Sequence, residues 1–153
     1  MKLRKVFAEK KDKKLYSIES GATIREAAKK ITGIKTGYLM VVKNGDEPIR
    51  FLGILTKSDL LRAVAPDGAD ADRILVDQFM TKNMIVANAE DDVQYITNVM
   101  LRHNVSYLPL IDGKNIIGVL THEDILESLN VEQDIELHWL SDYNGIDFKN
   151  RVY

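Results

Sequence analysis

Two apolar rhythms alternate along this chain, and they do so twice. Ile24, Ala27, Ala28 and Ile31 recur at the spacing of one helix face, and so do Val93, Ile96 and Met100. A short apolar run follows each, residues 38–42 and 107–111, fit for a strand buried in a small sheet. Next come Asn44-Gly45 and Asp112-Gly113, dipeptides that favour tight hairpins. A second strand ends at Thr56 or Thr121, and a second helical stretch carries Leu60, Leu61 and Val64 or Ile125, Leu126 and Leu129. Short extended pieces, residues 15–18 and 84–87, precede the first helices. The predicted order is β-α-β-β-α, twice over.

The halves also agree residue by residue. In one constant register Ile24 lies over Val93, Ile31 over Met100, Tyr38 over Tyr107 and Val41 over Leu110. Further on, GILTKSDLL (53–61) lies over GVLTHEDIL (118–126), the first repeat being longer only in the hairpin after Val42. Thr23 with Glu26 predicts a capping box at the first helix start, and Glu90, Asp91 and Asp92 place acids at the second. A unit of about 50 residues is marginal alone, so each repeat is expected to bury apolar helix faces against the other. The pattern divides the chain into a basic N-terminal extension (1–14), a first repeat (15–65), a joining segment (66–82), a second repeat (83–130) and a C-terminal extension (131–153). Pro66-Asp67-Gly68 breaks the joining segment, and Val76, Phe79 and Met80 are expected to anchor it over the core. Val131, Ile135, Trp139, Leu140 and Tyr143 predict an amphipathic C-terminal helix ended by Asn144-Gly145, with a short strand over 146–148.

Composition narrows the picture. Apolar residues make up 45% of the chain and charged residues 29%, as in ordinary globular proteins. A net charge of -2 disfavours a general nucleic-acid binder, although residues 1–14 carry seven Lys or Arg. That run is expected to be a solvated tail. It lacks the apolar core of a secretory signal, and no apolar run is long enough to span a membrane, so the expected location is cytoplasmic. With no cysteine, disulfides and thiolate metal sites are excluded. His103, His122 and His138 have no convergent ligand spacing, so no metal site is expected, and no nucleophile stands against a base.

The residues most suited to chemistry are Thr56-x-x-Asp59 and its copy Thr121-x-x-Asp124, each at a strand-to-helix junction. One reading is a capping box. The other is a ligand site: helix N–H groups and the Thr hydroxyl face a phosphate, and Asp is spaced to accept from vicinal sugar hydroxyls. The two readings use overlapping groups and stay open together. Tyr38 and Tyr107 fit either a core with satisfied hydroxyls or a base-stacking platform.

GILTKSDLL and GVLTHEDIL, with VSYLPLIDG and VDQFMT, resemble the recurring signature of cystathionine-β-synthase (CBS) repeats over about residues 15–130. The resemblance implies an α/β (α+β) fold, two β-α-β-β-α repeats related by a pseudo-two-fold axis, with two clefts between them. It implies a stand-alone regulatory module rather than an enzyme. The ligand would contain adenosine (AMP, ADP, ATP or S-adenosylmethionine), no cofactor would be required, and the module would form a homodimer signalling to an unnamed protein partner.

Carried onto these residues, one cleft would use Thr121 for phosphate and Asp124 for ribose, with Met84, Ile85, Val86, Val105, Ser106, Tyr107 and Pro109 around the base. The other would use Thr56 and Asp59 with Tyr16, Ser17, Thr36, Gly37 and Tyr38, while Lys57 and Ser58 add phosphate contacts. Lys57 and Lys35 lead to the expectation that this Thr56 cleft prefers the more highly charged phosphates. Met40 stands where the second repeat has Pro109, a departure from the usual proline. The rival readings are an interaction subunit with vestigial clefts and, less favoured, a DNA-associated regulator using the basic N-terminus.

Overall fold

The computed structural model describes residues 1–45, 47–129, 140–143 and 145. The first repeat runs β1 (Ser17–Glu19), α2 (Ile24–Ile34), β2 (Tyr38–Lys43), β3 (Arg50–Thr56) and α3 (Lys57–Val64), after an N-terminal helix α1 (Leu3–Glu9). The second repeats it as β4 (Ala87–Asn88), α4 (Val93–His103), β5 (Tyr107–Asp112), β6 (Asn115–Thr121) and α5 (His122–Ser128). The expected C-terminal helix and strand lie outside the described residues, apart from a 3₁₀ turn at Leu140–Tyr143.

Helix ends follow local chemistry. Thr23 and Glu26 form the capping box, and Asp92 caps α4 by accepting from the N–H groups of Gln94 and Tyr95. Both first helices end on a left-handed residue, Lys35 (φ 64°) and Asn104 (φ 53°).

Each repeat folds its strands into one sheet, ordered β1-β2-β3 and β4-β5-β6. The β-α-β crossovers make β1–β2 and β4–β5 parallel, and the hairpins make β2–β3 and β5–β6 antiparallel. Leu39, Val41 and Leu55 face α2, packing on Ile24, Ala27 and Ile31. The alternate residues Tyr38, Met40 and Ile54 face the other way and meet Val119, Tyr107 and Ile116 of the second repeat. Burial on both faces explains why these strands read as continuous apolar runs rather than alternating ones.

This corrects the expected mode of association. The repeats join sheet to sheet, and the apolar helix residues Leu61, Val64, Leu126 and Leu129 stay exposed. Met40 is fully buried at the centre of that joint, so its place in the pattern is a core position.

The N-terminal segment is also not a solvated tail. Leu3 and Val6 are fully buried among Val93, Ile96, Leu108 and Ile125 of the second repeat. Its backbone matches the joining segment: Leu3 N–H donates to Asp91 O and Val93 N–H to Met1 O, as Val76 N–H donates to Ala22 O and Ile24 N–H to Ile74 O. Phe7 lies over Gly118 just as Met80 lies over Gly53. The internal repeat therefore begins one element earlier than the motifs indicate. Each leading segment covers the opposite repeat, residues 74–81 on the first and 1–8 on the second. The faint match of Leu3, Val6 and Phe7 to Val76, Phe79 and Met80 is the signal that carries it.

Candidate functional site

Thr56 is the antiparallel partner of Tyr38, and the Tyr38 ring packs across the joint on Tyr107, with centroids 5.5 Å apart. The α3 N-terminus is thereby delivered to the wall of the second repeat. A cleft of about 670 Å³ results, in which Thr56, Lys57 and Ser58 face Met84, Ile85, Val105, Ser106, Tyr107 and Pro109. A smaller cleft of about 350 Å³ sets Thr121 against Tyr16, Thr36, Gly37 and Tyr38. Each cleft thus takes its threonine from one repeat and its wall from the other. The sequence reading instead gave each threonine a wall from its own repeat; the packing of the Tyr38–Tyr107 pair across the axis is what exchanges them.

Five expected residues fall elsewhere, among them Asp59 and Asp124, which line neither cleft. Ser17 lies in a separate depression, where its carbonyl accepts from the Lys30 ammonium. Val86 is exposed and lines neither cleft. Lys35 lines the smaller cleft and not the Thr56 cleft, and Lys57 lines both, so neither lysine favours higher phosphate charge in the Thr56 cleft alone. The sequence pattern does not single out Asn83, His103 and Asn104 in the larger cleft or Lys10, Asp12 and Lys14 in the smaller one.

The two aspartates serve the chain itself. Asp59 is 5% exposed; its Oδ2 accepts from Thr56 N (2.8 Å) and from the Thr56 hydroxyl (3.1 Å), while Oδ1 accepts from Arg62. Asp124 Oδ2 accepts from Thr121 N (2.9 Å) and from Lys10 Nζ (2.6 Å). Both junctions form capping boxes; at Thr121 the hydroxyl accepts from Asp124 N–H, and at Thr56 the hydroxyl also donates to the Asp59 carboxylate.

Tyr16, Tyr38 and Tyr107 form a row of rings along the joint. Burial pushes the Tyr38 hydroxyl up to about 12, so it stays protonated at neutral pH. Burial also raises Tyr107. The Tyr16 hydroxyl donates to Asp12, which holds that carboxyl below its usual range. Nor is the basic N-terminus a free arm: Lys2 and Arg4 are paired with Glu90, and Arg4 also with Asp112.

Two β-α-β-β-α repeats, joined sheet to sheet and enclosing a cleft at each threonine junction, define a tandem-repeat α/β module. The family model described as the CBS domain matches residues 11–66 and 76–131. The chain belongs to the CBS-domain family and carries two CBS domains in tandem. A putative signal-transduction protein with CBS domains from Burkholderia ambifaria superposes with a TM-score of 0.79 at 21% identity, over 90% of this chain and 100% of that one. The CBS domain pair of protein MJ0100, in complex with 5′-methylthioadenosine and S-adenosyl-L-methionine, superposes at 0.69 with 25% identity, over 84% and 95%. A homoserine O-acetyltransferase of Methanococcus vannielii is 29% identical over 120 residues, 78% of this chain. The chain spans 24% of that relative's length and 19% and 21% of the next two, so their enzymatic names describe mostly sequence that has no counterpart here. Among the described residues no helix is long and apolar enough to cross a membrane.

Proposed function

We propose that this chain is a regulatory module, not an enzyme, that takes an adenosine-containing ligand in the cleft between Thr56 and Tyr107. The observation that carries this reading is the two-ended character of that cleft. Thr56, Lys57 and Ser58, at the N-terminus of α3, offer hydroxyls and a cation to a phosphate or carboxylate. Met84, Ile85, Val105 and Pro109 offer an apolar slot for a purine, and Ser106, Asn83 and Asn104 supply polar groups at its edge. A cleft of about 670 Å³ accommodates a ligand of that size. The MJ0100 domain pair, with its two adenosine compounds, supports the ligand class.

Ligand binding would signal by linkage, since a ligand preferring one arrangement of the repeats shifts the population by its differential affinity. The exposed α2–α3 groove, lined by Ala28, Leu60, Leu61 and Val64, supports a homodimer through helix faces, with a protein partner reading its state. The interaction-subunit reading draws on one observation, that Asp59 and Asp124 are both engaged within the chain.

A thermal-shift screen of AMP, ADP, ATP, S-adenosylmethionine and 5′-methylthioadenosine decides between them. Ligand at a hundred times its dissociation constant stabilises by about 2.7 kcal/mol. Stabilisation by at least one, lost in Pro109→Arg, is expected; no shift with any of them leaves the interaction-subunit reading.

A further inference from the structure

The two clefts are related by the repeat, yet they differ in charge. We propose that the smaller cleft, between Thr121 and Thr36, is a site for a chain of two or more linked phosphates, recognised without any adenosine.

Lys14, Lys35 and Lys57 come from three separate segments and meet at this cavity of about 350 Å³, Lys57 lining the larger cleft as well. None of the three has an ion-pair partner among the described residues, whereas Lys10, the fourth lysine of the lining, is held by Asp124. Against these three stand two acids of the lining, the exposed Glu123 and Asp12, whose carboxylate accepts from the Tyr16 hydroxyl and is attracted by Lys14. Ammonium groups that outnumber the carboxylates around a concave site raise the local potential, which a multivalent anion relieves. Thr36 and Thr121 line the same space and add hydroxyls.

The larger cleft is an internal control. Where the smaller cleft has Lys10 and Lys35, the larger has Asn83 and Asn104, and Lys11, Asp12, Lys13 and Lys14 have no counterpart before Met84. The fold therefore does not require lysine at these positions. Adenosine recognition is disfavoured in the same place, because Tyr16 and Thr36 stand where the larger cleft has the apolar Ile85 and Val105, and the space is about 350 Å³ against about 670 Å³.

The source of the phosphate chain is either an inorganic polyphosphate or the tail of a nucleotide, and calorimetry on the full chain at low salt separates them. The probes are sodium tripolyphosphate, ATP and the uncharged 5′-methylthioadenosine. The variants are Lys14→Gln and Lys35→Asn, the latter keeping a residue that tolerates the left-handed backbone as Asn104 does. Tripolyphosphate is expected to bind with an affinity that falls steeply with salt, about tenfold weaker in the double variant and tighter in Glu123→Gln. Binding of 5′-methylthioadenosine is expected to be unchanged in all three, so failure of the adenosine reading is seen separately. Circular dichroism confirms that the variants fold. No tripolyphosphate binding to the parent, binding of ATP alone, or tripolyphosphate binding indifferent to Lys14→Gln with Lys35→Asn overturns the proposal.

Discussion

The Tyr107 hydroxyl sits directly on Gly37: a Cβ built at Gly37 would lie 1.7 Å from Oη and 2.4 Å from Cζ. Gly37 therefore gives the Tyr107 ring its seat, at the point where the two clefts share a wall. Gly37→Ala is expected to displace the ring and destabilise the fold by about 1–3 kcal/mol, the usual cost of overpacking. Urea unfolding checks the size. Adding Tyr107→Leu should recover most of the loss, while Tyr107→Phe should not, because Cζ stays too close. A parent-like midpoint for Gly37→Ala would show that the ring has other room.

Gly53 and Gly118 are related by the repeat but guard different neighbours. A Cβ at Gly53 meets the Thr81 carbonyl at 2.6 Å, within the Ile54–Thr81 bridge, whereas one at Gly118 meets the tip of the Phe7 ring at 2.4 Å. Backbone cannot step aside as a side chain can. Gly53→Ala is expected to cost more than Gly118→Ala, each within about 1–3 kcal/mol. Gly118→Ala should instead raise amide exchange in α1. Equal stabilities and unchanged exchange would contradict this.

Asp59 and Asp124 should differ as structural groups. Removing Asp59 leaves Thr56 N–H and the Thr56 hydroxyl without their buried acceptor, in the more deeply buried of the two sites, so Asp59→Ala is expected to destabilise by about 2–3 kcal/mol. For Asp124→Ala the expectation is about 1–2 kcal/mol, largely cancelled when Lys10→Met is added, since no unpaired charge then remains. A double-mutant cycle by chemical denaturation measures that coupling. A coupling energy near zero would mean that the Lys10–Asp124 pair holds nothing.

Acid should loosen α1 before the rest. Lys2 and Arg4 hold Glu90 below its usual pKa, Arg4 does the same for Asp112, and the N–H groups of Tyr95 and Gln94 do so for Asp92. A carboxylate with a depressed folded pKa contributes stability that is complete above its unfolded value. That contribution is lost as pH falls through the folded one. Between about pH 6 and about pH 3, protection at Leu3 and Arg4 amides is expected to fall while that of Leu39 and Leu108 persists. Hydrogen exchange read residue by residue tests it, and uniform loss across the chain would count against a separately anchored helix.

The sequence by itself determined the elements and their order, because periodicity, Thr23, the hairpin glycines and the paired Thr-x-x-Asp junctions all act within a few residues. It also showed the repeat and, through the motifs at 53–61 and 118–126, the family. What faces what was left to the tertiary structure. Apolar helix residues such as Leu61 and strand residues such as Met40 look alike in a pattern, and only packing decides that the sheets meet while the helix faces stay open. The basic run at 1–14 reads as solvated because its charges dominate locally; Leu3 and Val6 find their core, and Lys10 and Arg4 their carboxylates, only in residues far along the chain. For the same reason the walls of the two clefts could not be read locally: the Tyr38–Tyr107 pair that joins each threonine to the opposite repeat is a contact across the axis, which no spacing within one repeat encodes.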